Sequence, residues 1–218
     1  MKISAETIAI LKNYSTINPS VLFKPGNTIS TMSMQKSIFA KATIKEDIER
    51  QFGIYELNKF LGVLSMFREP ELRFFDSYLE VFSGKQKVRY TYADPSLIVT
   101  PPEKGLVVPD PDVEFDLTAE DLNSVVKALS IMSLPEICIT GDGTNLELQA
   151  VNPSNRSADV YSVIVGSTDK TFHSYVKMEN LKFLSKDYKV SVSSKGIIRL
   201  ESQDITYFVA SEAHSTFN

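Results

Sequence analysis

Ile3-Ser4-Ala5-Glu6-Thr7-Ile8, near the start of the chain, and Leu117-Thr118-Ala119-Glu120-Asp121-Leu122, about half a chain later, carry the same classes of residue in the same order. Each stretch reads as a helix start. Ser4 can accept from the free amides of the first turn, Glu6 sits where the helix dipole favours an anion, and Ile3, Thr7, Ile8, Leu11 and Tyr14 fall on one face. Thr118 opens the second helix, Asp121 completes a variant of the capping box, and Leu122, Val125, Val126 and Leu129 form its apolar face. The halves also close alike: Val88-Arg89-Tyr90-Thr91-Tyr92-Ala93 is echoed by Ile205-Thr206-Tyr207-Phe208-Val209-Ala210, both strand-like in their aromatic and β-branched content.

The duplication extends inward. Each opening helix is followed by an expected hairpin: Val21 to Phe23, the turn Lys24-Pro25-Gly26-Asn27, then Thr28 to Met32 in the first half, and Ile137 to Thr140, the turn Gly141-Asp142-Gly143, then Leu146 to Val151 in the second. A second helix is expected from Tyr55-Glu56-Leu57-Asn58-Lys59-Phe60-Leu61 towards Phe67, and a shorter counterpart from Met178-Glu179-Asn180-Leu181-Lys182-Phe183-Leu184, which repeats the Lys-Phe-Leu element. Three strands then close each half. The fold class is α+β, with two similar domains that each pack two helices on antiparallel sheets: residues 1–95, a connector 96–113, and residues 114–218.

A net charge of -4 gives no broadly basic face of the kind a tight DNA binder presents. One cysteine, Cys138, excludes an internal disulfide framework and fits a reducing compartment. No early apolar run is long enough to span a bilayer, and the opening residues lack the regions of a signal peptide. A cytosolic location is expected. Half of the chain's ten prolines fall between Asp94 and Asp112, which makes the connector extended, while Leu97, Ile98, Val99, Leu106, Val107 and Val108 are too apolar for a freely solvated tether. The connector is expected to lie on the protein, either as cover for core or as one wall of a groove for a partner peptide.

With this plan in view, the opening Met1-Lys2-Ile3-Ser4-Ala5-Glu6-Thr7-Ile8-Ala9-Ile10-Leu11-Lys12-Asn13, the Tyr55 to Leu61 element and the closing stretch from Ile205 to Ala213 resemble the DNA polymerase sliding clamps of T4-type bacteriophages over essentially the full length. The resemblance implies the DNA-clamp fold and a head-to-tail homotrimeric ring, closed around double-stranded DNA without regard to sequence. It also implies tethering of the replicative DNA polymerase, opening by an ATP-driven clamp loader, contacts with late-transcription factors, residence in the cytoplasm of an infected bacterial host, and no catalysis or cofactor of its own. A ring needs little positive potential, because topology supplies retention and numerous phosphate contacts resist sliding. That potential is assigned to Lys12, Lys59, Lys127 and Lys182, one on each expected helix, with Arg68 and Lys186 near helix ends. The partner-peptide pocket is assigned to Leu106, Val107 and Val108 of the connector with Val209 and Ala210 of the last strand.

Other chemistry finds little support. His173 and His214 lack the spacing of a zinc site, and Cys138 has no histidine near it in sequence. Gly141-Asp142-Gly143 has neither a P-loop lysine nor EF-hand ligands, so it reads as a turn. Glu46, Asp47 and Glu49, like Asp110 and Asp112, read as solvated acids. A ring- or shell-forming structural protein that binds no DNA stays open, although it gives no reason for lysines to recur on helices; a hydrolase would need distant carboxylates gathered in one pocket.

Overall fold

Ser4 starts helix α1 (Ala5–Ile17): its Oγ accepts from the Thr7 amide at 3.2 Å. A second acceptor arrives from far along the chain. Both carboxylate oxygens of Glu46, which is buried and not solvated as expected from the sequence, are engaged there, one accepting from the Ser4 amide and the other from the Thr7 hydroxyl at 2.5 Å. Burial pushes the Glu46 pKa up, but the hydrogen bonds from Thr7 and Ser4 outweigh it and hold the carboxyl below its usual range. Thr7, Ile10, Leu11, Tyr14 and Ile17 turn inward, the 3.6-residue stripe that the sequence displays.

The structure is a computed structural model and describes every residue except Glu103, Lys104, Pro109 and Arg156, three of which fall in the expected connector. The chain divides into two compact units, Met1–Gly105 and Leu106–Asn218. In unit 1, α1 is followed by β1 (Val21–Phe23), β2 (Gly26–Met32), β3 (Ile38–Ile48), β4 (Phe52–Ile54), α2 (Leu57–Ser65), β5 (Glu71–Phe74), β6 (Tyr78–Ser83) and β7 (Gln86–Thr91). In unit 2 the order is β8 (Val113–Leu117), α3 (Ala119–Met132), β9 (Glu136–Asp142), β10 (Asn145–Val151), β11 (Tyr161–Ser167), β12 (Thr171–Lys177), β13 (Tyr188–Ser193), β14 (Ile197–Glu201), β15 (Ile205–Ala210) and β16 (Thr216–Phe217).

All described ladders within the units are antiparallel. Unit 2 has a sheet ordered β11-β10-β9-β12-β16, with α3 packed on β9, β10 and β11, and a second run in the order β15-β14-β13-β8. Its core is formed by residues such as Leu122, Val125, Leu129, Leu148, Phe172 and Val190. In unit 1, β5, β6 and β7 form a three-stranded sheet, and α1 packs on α2, β2 and β3. Strand β3 alternates buried and exposed side chains from Ala40 to Ile48, as expected of a sheet with one face on a core.

Two expectations are corrected here. The first concerns the opening hairpin: β1 and β2 succeed each other in sequence yet share no ladder among the described residues, β1 pairing with β4 and β2 with β3. Side chains from the end of α1 do part of the missing ladder's work. Tyr14 Oη donates to Ile29 O at 3.1 Å, and Asn18 Nδ2 donates to Met32 O at 2.8 Å while its Oδ1 accepts from the Ser20 amide at 2.9 Å. The corresponding β9–β10 hairpin of unit 2 is fully laddered from Leu146–Gly141 to Val151–Glu136.

The second correction is the helix expected from Met178 to Leu184. It is a single 3₁₀ turn, Met178–Asn180, followed by irregular chain. Helix α2 has four inward anchors, Leu57, Phe60, Leu61 and Leu64. The 178–184 stretch reaches Ser185-Lys186-Asp187 before a comparable second apolar turn, and so short a helix does not repay its own nucleation. Tertiary partners hold the segment in another shape. Phe183 packs edge-on against Tyr207 at 5.1 Å, Tyr207 Oη accepts from the Leu184 amide at 3.2 Å, and Tyr188 Oη donates to Leu184 O at 2.6 Å. Asp187 Oδ1 accepts from the Ala119 amide at 2.7 Å, giving α3 a remote carboxylate at its N-terminus beside the Thr118 cap, much as Glu46 serves α1. Among the described residues unit 1 thus carries two α-helices and unit 2 carries one.

Candidate nucleic-acid interface

The outward stripes of the three helices have a common chemistry. On α1 the exposed residues are Ala5, Glu6, Ala9, Lys12 and Thr16; on α2 they are Asn58, Lys59, Gly62 and Ser65; on α3 they are Glu120, Asn123, Lys127, Ser130 and Ile131. Small and polar side chains predominate, with one lysine on each stripe. Several of the hydroxyls are already committed: those of Ser15, Thr16, Ser65, Ser124 and Ser130 each donate to a carbonyl of their own helix at 2.7 to 3.2 Å. What these stripes offer to a polyanion is chiefly one lysine ammonium group each.

The six basic candidates are not equivalent in the structure. Lys12 and Lys127 are exposed and have no ion-pair partner among the described residues, whereas Lys59 lies 3.2 Å from Glu56 of its own turn. Arg68 is exposed just beyond α2. Lys186 is half-buried with its ammonium 2.5 and 2.7 Å from the two oxygens of Asp204, so its charge is locally answered. Lys182 lies half-buried on the irregular segment that replaces the expected helix. The acid of the first α1 turn is also answered: Lys45 donates to Glu6 at 2.8 Å, and that hydrogen bond holds the Glu6 carboxyl below its usual range.

Of the pocket candidates, Leu106, Val107 and Ala210 are exposed, Val107 most of all at 71%, while Val108 and Val209 are buried. Val209 points into the interior of unit 2 beside Leu117, Leu122 and Leu200. The structure also has a cleft walled by the connector, at residues other than those assigned from the sequence. It lies within unit 1, with a volume of about 320 Å³, where Val99, Thr100, Pro101, Pro102 and Gly105 run over β1, β2 and β3. Pro101-Pro102 was a visible sign of extended chain, but the seam between β1 and β2 beneath it depends on the absent hairpin ladder.

Cys138 and the two histidines have structural surroundings. Burial pushes the Cys138 thiol up to about 12. His173 Nδ1 is 2.8 Å from the Thr140 hydroxyl, and His214 Nε2 is 2.9 Å from the buried Glu136. Among the described residues no three His, Cys, Asp or Glu side chains gather as a metal site, and no helix is long and apolar enough to cross a membrane.

Comparison with known proteins bears on both halves. A family model described as DNA polymerase processivity factor matches residues 4–100, and one described as gp45 sliding clamp, C terminal, matches residues 114–213. The sliding clamp of Vibrio phage KVP40 is 32% identical over 220 residues, covering 98% of this chain and all of that protein, and the sliding clamp of Enterobacteria phage T4 is 30% identical over 226 residues, covering 99% of each. Among solved structures, PCNA of A. fulgidus in complex with the C-terminal region of FEN-1 matches with a TM-score of 0.75 at 12% identity, over 99% of this chain and 98% of that one. The DNA polymerase III β subunit of Pseudomonas aeruginosa matches with a TM-score of 0.68 at 11% identity, over 97% of this chain and 63% of the longer partner. At such identities these two likenesses concern the fold alone.

Proposed function

The chain belongs to the sliding-clamp family of DNA polymerase processivity factors, a family of non-enzymatic scaffolds, and from that premise we propose how its own residues serve the task. Three copies close head to tail around duplex DNA. Lys12, Lys59 and Lys127 face the DNA from the helix stripes, with Arg68 and Lys182 at the margins and Lys186 contributing least because Asp204 holds it. The observation that carries this reading is the chemistry of those stripes, one ammonium amid small and self-bonded side chains on every helix. Such a surface attracts a phosphate backbone without gripping it, and the ring rather than affinity provides retention.

Open strand edges support the ring. β7 ends the three-stranded sheet of unit 1 and β11 ends the five-stranded sheet of unit 2, and unpaired edges of six and seven residues invite pairing between copies. Ile131 and Ile164, 72% and 63% exposed near the second edge, would be covered by such a contact. A heterologous contact repeated three times closes the ring.

The connector supplies the partner site, with the exposed Leu106, Val107 and Ala210 meeting the apolar peptide of a polymerase and the buried Val108 and Val209 supporting them from the interior. The same surface serves an ATP-driven loader and late-transcription factors, in the cytoplasm of the infected host. Primer extension on a circular template with polymerase and loader tests the assignment. Val107→Asp is expected to abolish the lengthening of products while sedimentation still shows a trimer; unchanged product length would remove Val107 from the site.

A further inference from the structure

The outward face of the sheet β5-β6-β7 pairs aromatic rings with cations in a way that neither the core nor the helix stripes use. Leu72, Leu79 and Val81 point into unit 1, so Arg73, Tyr78, Glu80 and Phe82 stand on the opposite face, with Lys87 and Arg89 beside them on β7. The register sets Arg73, Glu80 and Arg89 side by side across the three strands. The Arg89 guanidinium lies 3.9 Å from the centre of the Tyr78 ring, and the Arg73 guanidinium 4.8 Å from that of Phe82. Between these two stacks the buried Glu80 holds Lys87 at 3.1 Å and Arg73 at 3.6 Å, which fixes where those cations stand. Arg89 is exposed and has no ion-pair partner among the described residues. We propose that this face binds single-stranded nucleic acid, its bases stacking on the two guanidinium planes and its phosphates accepting from the guanidinium edges and from Lys85.

Charge and geometry favour this occupant. The chain as a whole carries a net charge of -4, yet on this face and its β6–β7 turn Arg73, Lys85, Lys87 and Arg89 outnumber Glu71 and Glu80 by two. That local excess draws a polyanion. A planar guanidinium can stack through its face while its edge donates to phosphate, which a lysine ammonium cannot do. Duplex DNA is the poorer fit, because its bases are already paired and stacked on one another, whereas unpaired bases offer a free π-face. An acidic peptide would answer the cations but bring no ring to the stacks. Tyr78 and Phe82 stand four residues apart on one strand, about 13 Å, so the two stacks serve separate bases. Side chains rise from the sheet while ladder bonds lie in its plane, so pairing along the β7 edge leaves this face open. The inference goes beyond the enclosure of duplex DNA: it concerns another form of nucleic acid on another surface, and it requires no loader.

The test follows the fluorescence anisotropy of a labelled oligothymidylate of about twelve nucleotides on the intact protein at low salt. An abasic strand and a polyglutamate of the same length serve as comparisons. The oligothymidylate is expected to bind at least about fivefold tighter than either, because only it supplies both bases and phosphates. Arg73→Ala combined with Arg89→Ala should weaken its binding about tenfold, and Arg89→Lys, which keeps the charge but not the plane, about threefold. Lys12→Gln combined with Lys127→Gln should leave it unchanged. Backbone amide shifts of the unaltered protein, which need no variant to fold, are expected at Arg73, Glu80 and Arg89. No binding, equal binding of the abasic strand or of polyglutamate, full activity of Arg89→Lys, a loss in the helix-lysine variant as large as in the arginine one, or shifts confined to the helices would each overturn the proposal. Retention on a nicked circular duplex, measured with the arginine variant, reports separately on enclosure.

Discussion

Helix α2 and the segment 178–187 begin from nearly the same sequence element, Lys-Phe-Leu, and end in different structures. Lys59-Phe60-Leu61 lies inside a two-turn helix; Lys182-Phe183-Leu184 lies in irregular chain. The residues immediately downstream and the side chains packed nearby make the difference. α2 gains Leu64 as a further anchor, while Phe183 and Leu184 are met by the ring and hydroxyls of Tyr207 and Tyr188 before a second turn can form. A shared local pattern proposes a helix, and tertiary partners decide. The hairpins teach the same lesson: β9 and β10 ladder fully, whereas β1 and β2 leave a seam that α1 side chains and the connector's beginning partly fill.

The sharpest way to break the first comparison is to truncate its matching aromatics. Phe60, 1% exposed, is expected to cost about 3–5 kcal/mol when changed to alanine, and the half-buried Phe183 about 1–2 kcal/mol, as read by urea unfolding. Equal losses would mean that segment 178–187 carries as much packing as α2.

The glycines of the two corresponding strand connections provide the next contrast. A Cβ on Gly141 would come 2.5 Å from Lys170 O and 2.8 Å from the Phe172 ring, whereas one on Gly26 meets nothing within 4 Å and is opposed only by its φ of +107°. Gly141→Ala is therefore expected to lower stability by about 3 kcal/mol and Gly26→Ala by about 1 kcal/mol in the same assay. A reversed order would show that the laddered turn yields more readily than the open one.

At the helix starts, Glu46→Gln should cost about 1–2 kcal/mol at neutral pH. Since the Glu46 carboxyl is held below its usual 4.5, its contribution is present above that value and fades as pH falls through the lower folded-state value. The variant should accordingly lose less stability than the parent between pH 5 and 3, and parallel acid limbs would remove Glu46 as the cause.

The smallest effects belong to the lysines. Joint substitution of Lys12 and Lys127 by glutamine is expected to weaken loading on DNA a few-fold and to flatten its salt dependence, whereas Lys186→Gln should leave both nearly unchanged because its charge is shared with Asp204. Equal effects would return Lys186 to the same rank as the other two.

Much of this was legible along the chain. Ser4 and Thr118 mark their helices by side-chain chemistry within three residues, and the apolar stripes of α1 and α3 repeat at the helical period, so the duplicated plan could be read directly. What escaped depends on residues far apart in sequence. Asp187 reaches Ala119, and Tyr207 reaches Leu184. The basic residues were legible as types, but their ranking was not, because Asp204 stands 18 residues from the lysine it occupies.

The central claim is that this chain holds DNA by enclosing it. Load the protein on a nicked circular duplex, separate the complex from free protein, and then cut the circle once while following the DNA-bound fraction. Enclosure predicts retention on the closed circle, including in salt that would strip a phosphate-gripping protein, and rapid loss once ends exist. Protein that stays bound equally well to the cut DNA would contradict it.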